Sequence, residues 1–204
     1  MPYEGGGDAP AGKGAGSRKG VLYQFKITLK DVRPPVWRRF LVPDWITLED
    51  FGEVVEDVMG WYGLHLHEFI VKGVRYGSPD TGDPDFDSEV VDEGSVTLRK
   101  LRLSVKERIR YDYDFGDDWR HDLLLEKILP SDGRILPVCL KGARDCPPED
   151  SGGPWGYQEL LEVLKDPEHK SYASMKEWIG EEFDPEEFDL ESLNEILSSR
   201  GWTA

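Results

Sequence analysis

The chain has 204 residues, with 41 acidic against 25 basic side chains and a formal net charge of −16. That length can bury a sizeable core in one domain, and no apolar run approaches the roughly eighteen residues that a membrane helix needs. The acidity is concentrated in residues 145–195, where sixteen Asp and Glu face three Lys, so phosphate backbones are repelled and nucleic acid is disfavoured as a partner.

Two cysteines, Cys139 and Cys146, are too few for a disulfide scaffold, and Met1-Pro2-Tyr3-Glu4 opens without an apolar signal region. The expectation is a cytoplasmic protein with reduced thiols and no membrane partner. Residues 1–20, rich in Gly, Ala and Pro, read as a disordered leader. Residues 21–204 read as a single domain, with a sheet part over 21–130 and a loop and helical part over 131–204.

Tyr23, Phe25, Ile27 and Leu29 alternate with polar residues, which predicts a half-buried strand. Arg33-Pro34-Pro35 stops it, and Val36 to Val42 is a partner strand. Thr47 opens a helix with Asp50 in the capping-box place; Leu48, Phe51, Val54, Val55, Val58 and Met59 follow at helical spacing, and Gly60 closes it. Leu66 to Val71 is the next strand, and Val74 to Tyr76 extends it or folds back around Gly73. Residues 78–94 form an acidic surface loop. Its Asp83-x-Asp85-x-Asp87 spacing suits calcium, but Ser88 stands where an EF-hand needs glycine and Gly94 where it needs Glu. Leu98 to Leu103 is a short helical turn.

Residues 111–121 read Tyr-Asp-Tyr-Asp-Phe-Gly-Asp-Asp-Trp-Arg-His. The mixture is too polar for a core strand and too aromatic for a solvated loop, and a hairpin accommodates it: Ile109 to Asp114 in, a turn over Phe115 to Asp118, and Trp119 to Ile128 out. Gly116 is expected to supply the left-handed residue of the turn. Beyond Pro130, Val138 to Pro154 is a Gly/Pro/Cys-rich loop, followed by a helix over Tyr157 to Lys165. Asp166-Pro167-Glu168 opens a helix through Trp178, Asp184-Pro185-Glu186 repeats the device, and Asp189 caps a last helix ending near Gly201. Strands first and helices late predict an α+β fold with a mostly antiparallel sheet, in an order that suits a β-grasp-like arrangement.

Two chemistries compete for the polar residues. His65 and His67 share a face if both lie on a strand, and with His121 from the hairpin they form a candidate ligand set for a divalent transition metal. Asp114 or Asp117 would then be a further ligand or general base. Against this stands a structural network, in which Asp112 or Asp114 pairs with Arg120, His121 or a backbone amide across the hairpin; this reading is preferred, and with it no cofactor. Cys139, Cys146 and His169 have no short zinc-clip spacing. Pro148, Glu149, Asp150 and Gly153 belong to a loop without the lysine of a phosphate cradle, and the loop reads as a lock between the helical half and the sheet.

Several motifs together carry a likeness: Val36-Trp37-Arg38-Arg39 after a double proline, Met59-Gly60-Trp61, His65-Leu66-His67-Glu68-Phe69, and Tyr113 to His121 with Asp114, Gly116, Trp119 and Arg120. Pro147 to Gly153 and Gly156-Tyr157 complete the set. The chain resembles the plasmid pRiA4b ORF-3-like family over about residues 21–197. The resemblance implies a compact α+β unit and an association with plasmids or transposable elements, and it transfers no reaction. The expected role is a binding or accessory protein with a protein partner, whose acidic helical face makes the contact. The alternative is a metal-dependent hydrolase using the His/Asp cluster.

Overall fold

The computed structural model describes residues 20–78, 90–180 and 183–203, so the leader before Gly20 and the Asp83-x-Asp85-x-Asp87 segment lie outside the described residues. Ten strands follow in chain order: β1 (Val21–Leu29), β2 (Trp37–Pro43), β3 (His67–Val71), β4 (Val74–Gly77), β5 (Val90–Asp92), β6 (Arg108–Tyr113), β7 (Trp119–Pro130), β8 (Ile135–Leu136), β9 (Val138–Ala143) and β10 (Trp202–Thr203). The helices are α1 (Leu48–Met59), α2 (Gly153–Leu164), α3 (Tyr172–Ile179) and α4 (Leu190–Ser198). Eight strands form one sheet in the order β5-β4-β3-β6-β7-β1-β2-β9, while β10 pairs with β8 apart from it. Among the described strands only β4 and β5 run parallel, so the fold is α+β with a mostly antiparallel sheet.

The opening hairpin, helix and strand, β1-β2-α1-β3, follow the order that suggested a β-grasp-like arrangement, and β7 pairs antiparallel with the other side of β1. Tyr23, Phe25, Ile27 and Leu29 are buried as their alternation requires. Helix α1 begins where the Thr47 hydroxyl accepts from the Asp50 amide while the Asp50 carboxylate accepts from the Thr47 amide, and it ends at Gly60, φ +83°. Its buried stripe lies across the sheet: the Phe51 ring packs 5.0 Å from Phe25 and stacks 5.6 Å from Phe69. Among the described residues no helix is long and apolar enough to cross a membrane.

The C-terminal half departs from its sequence reading at several places, including the short β8–β10 pair. Val138–Ala143 is an edge strand on β2 rather than part of a loop. Pro137 and Gly142 disguise it, but edge strands tolerate both, and a β-carbon at Gly142 would lie 2.6 Å from the Phe188 ring that covers it. Helix α2 starts four residues earlier than the apolar stripe suggests, because left-handed Gly152 and Pro154 in the first turn set its entry. Asp166 does accept from the Glu168 amide, yet only a turn results; the His169 Nδ1 then accepts from the Ser171 amide, and α3 begins at Tyr172. Asp184-Pro185-Glu186 likewise closes one turn and no helix. Asp189 caps α4 through the amides of Glu191 and Ser192.

Candidate functional site

The hairpin β6–β7 turns through Asp114 and Asp118, φ +54° and +56°, and Gly116 is not left-handed. This corrects the expected role of glycine. Aspartate adopts that backbone at low cost when its carboxylate bonds nearby amides, and Asp114 Oδ1 accepts from Gly116 at 2.9 Å and from Asp117 at 3.3 Å. The Asp114 amide donates to the Leu66 carbonyl, 2.9 Å away, which ties the turn to the loop between α1 and β3.

A third loop, between β9 and α2, docks on the other two. The Gly152 amide donates to Asp117 Oδ2 at 3.0 Å, and a β-carbon at Gly153 would collide with the Asp117 carbonyl. Glu149 accepts from the Tyr113 hydroxyl and from the Tyr62 amide, so one carboxylate clips all three segments. Burial, reinforced by Glu149, raises the Tyr113 phenol above its ordinary range and keeps it a donor. Trp61 lies flat on Tyr113 at 4.6 Å, and its indole N–H donates to the Pro147 carbonyl at 3.0 Å, just before Pro148. Trp119 and Tyr157 are buried in the core beneath these loops.

The three hairpin and strand histidines part ways, which removes the ligand set His65, His67 and His121. Strand β3 starts only at His67, so His65 sits in the preceding loop and the two rings do not share a strand face. His65 Nδ1 stands 3.5 Å from Asp114 Oδ2 and its Nε2 3.6 Å from Asp150 Oδ1, with its edge to Tyr113. His67 is held between Glu56 and Glu93, each at 3.0 Å. Burial alone would push that imidazole down, but the hydrogen bonds and charges of the two carboxylates outweigh it and hold it up at about 9. His121 is fully enclosed, with Nδ1 3.2 Å from the Tyr111 carbonyl, and burial pushes it down to about 4.

The remaining polar partners are local. Asp112 pairs with Arg110 at 2.6 Å, and Arg120 with Asp118 at 2.5 Å, rather than with each other across the hairpin. Arg110 and Arg120 each lie two residues from the carboxylate they take, the first pair on one face of β6 and the second across the start of β7, where Asp118 ends the turn. Cys139 and Cys146 are both buried and free, and His169 is engaged in its own turn. Among the described residues, the group of three metal-capable side chains that does converge is His65, Asp114 and Asp150.

Glu56 and Glu93, the two partners of His67, were missed by sequence reading. One signal was present: Gly52 interrupts α1 where an ordinary helix would carry a side chain, and a β-carbon there would lie 2.7 Å from His67 Nε2. Exposed Tyr62, Leu64 and Trp155 also escaped notice, because apolar residues in a sequence are first assigned to the core.

Known proteins share this framework. The family model for plasmid pRiA4b ORF-3-like protein matches residues 21–192. The uncharacterized protein y4hQ of Sinorhizobium fredii (strain NBRC 101917 / NGR234) is 39% identical over 179 residues, 86% of this chain and 90% of that one. The crystal structure of MM3350 from Methanosarcina mazei Go1, a protein of unknown function, is similar at TM-score 0.77 and 40% identity, covering 85% of this chain and 98% of the other. The chain belongs to the plasmid pRiA4b ORF-3-like family.

Proposed function

We propose that this protein is a cytoplasmic binding or accessory module that captures a protein segment on the platform made by its three joined loops. The carrying observation is exposure. Among the described large apolar side chains, the three most exposed are Trp155 at 88%, Tyr62 at 83% and Leu64 at 74%; Tyr62 and Leu64 lie on these loops, together with Leu66 and Phe115, and Trp155 stands in the first turn of α2, directly after the third loop. Apolar groups held in water on braced backbone are suited to be contact anchors, because little ordering entropy is left to lose on binding. We locate the contact here rather than on the acidic helical half for that reason. Asp117, Asp118, Glu149 and Asp150 lie on the same loops, so the complementary segment carries Lys or Arg between apolar residues. The charge of −16 argues against nucleic acid as the partner. The plasmid-derived description of the family supports an association with mobile elements.

Selection of a random peptide display library on the full chain tests this reading. Basic–apolar peptides should be enriched, and the double variant Tyr62→Ser/Trp155→Ser should lose at least about tenfold in affinity for them with its melting temperature unchanged. No enrichment, or enriched peptides that bind the double variant equally well, would remove the platform as the contact surface.

A further inference from the structure

We propose that His65, Asp114 and Asp150 form a binding site for a divalent first-row transition ion where the three loops meet. Each residue comes from a different loop, and one ligand atom from each lies within 4.8 Å of the others. The closest approaches, 3.5 Å from His65 to Asp114 and 3.6 Å from His65 to Asp150, are too long for good hydrogen bonds. The first lies at the upper end of the roughly 3–3.5 Å that separates ligands sharing an ion with bonds of about 2.0–2.2 Å, while the second is to the opposite ring nitrogen, so Asp150 has to shift to join an ion held on Nδ1.

Asp114 is already oriented as a donor, and Asp150 is free to move into place. Asp114 Oδ1 is occupied by the amides of Gly116 and Asp117, which leaves Oδ2 turned toward His65 as a single-oxygen ligand. The edge contact with Tyr113 fixes the His65 ring. Asp150 is held by its backbone at φ +58° while its side chain is 77% exposed, so an oxygen can swing to the ring nitrogen that the ion selects. Two carboxylates and a neutral imidazole balance a dication, and a mixed N/O donor set suits zinc, manganese or iron better than calcium. The competing arrangement is a protonated His65 lying between the two carboxylates with no ion. The inference does not depend on a peptide partner, because an ion is titrated without one.

Titration of the full-length, tag-free chain with Zn²⁺, and with Co²⁺ as a spectroscopic probe, decides between them. One equivalent should bind, with cobalt bands free of thiolate charge transfer, since Cys139 and Cys146 are buried elsewhere. His65→Ala and Asp150→Asn should each weaken binding at least about tenfold, while His169→Ala leaves it unchanged. Asp150→Asn alters an exposed side chain and keeps the test valid if His65→Ala unfolds. No stoichiometric binding, a thiolate band, or equal affinity in Asp150→Asn would overturn the site.

Discussion

Two histidines set opposite pH slopes on stability. Both titrate near 6.5 in an unfolded chain. His67 is held up at about 9 between Glu56 and Glu93, so the native state keeps a proton that the unfolded chain releases above 6.5. That contribution is complete below pH 6.5 and is lost as pH rises through 9. His121 is pushed down to about 4 by burial, so the unfolded chain binds a proton that the native state refuses. Its contribution is complete above pH 6.5 and is lost as pH falls through 4, with a limit on the order of 3 kcal/mol. Thermal melts between pH 4 and 9.5 should therefore show a dome near 6.5, and His67→Gln should flatten the alkaline limb alone. A second test concerns Gly52. Glycine to alanine inside a helix ordinarily stabilises by about 0.5–1 kcal/mol. Gly52→Ala should instead destabilise by about 1–3 kcal/mol, because its β-carbon meets the His67 ring, and adding His67→Ala should recover the ordinary gain. Little of this was legible residue by residue. Glu56 lies on α1 and Glu93 follows β5, and spacing cannot show that both close on one imidazole.

Elements with local causes were legible. The capping box of α1, its apolar stripe and Gly60 are all written within fourteen consecutive residues, 47–60. Thr47→Ala should cost about 1 kcal/mol, read as a shift of the denaturant midpoint at unchanged slope. The hairpin β6–β7 was equally clear from its alternation and the polar turn between its arms. What failed were elements decided at a distance. Strand β9 exists because β2 offers it a free edge and Phe188 covers its glycine, and neither fact is local. The Asp-Pro-Glu signals at 166 and 184 did form capped turns, but a cap opens a helix only when the next turn has an apolar face to bury.

At the scale of the molecule, Tyr157, Leu160, Leu161, Leu193 and Leu197 from the helical half join the same core cluster as Phe25, Phe51 and Tyr111 from the sheet. We expect residues 21–204 to unfold as one cooperative unit, so fluorescence and far-ultraviolet dichroism should give coincident denaturation curves; separate transitions for the two halves would divide it. The carboxylates of the β6–β7 turn and of the loop docked on it serve this unity, since Asp114, Asp117 and Glu149 each hold backbone amides of the turn or the neighbouring loops. Hydrogen exchange at the amides of Gly116, Asp117 and Gly152 measures that bracing directly. In the native chain these three should exchange at least about tenfold slower than open loop amides, and Asp117→Ala should release Gly152 while β1 and β7 stay protected. Exchange of all three at the unprotected rate in the native chain would contradict the account.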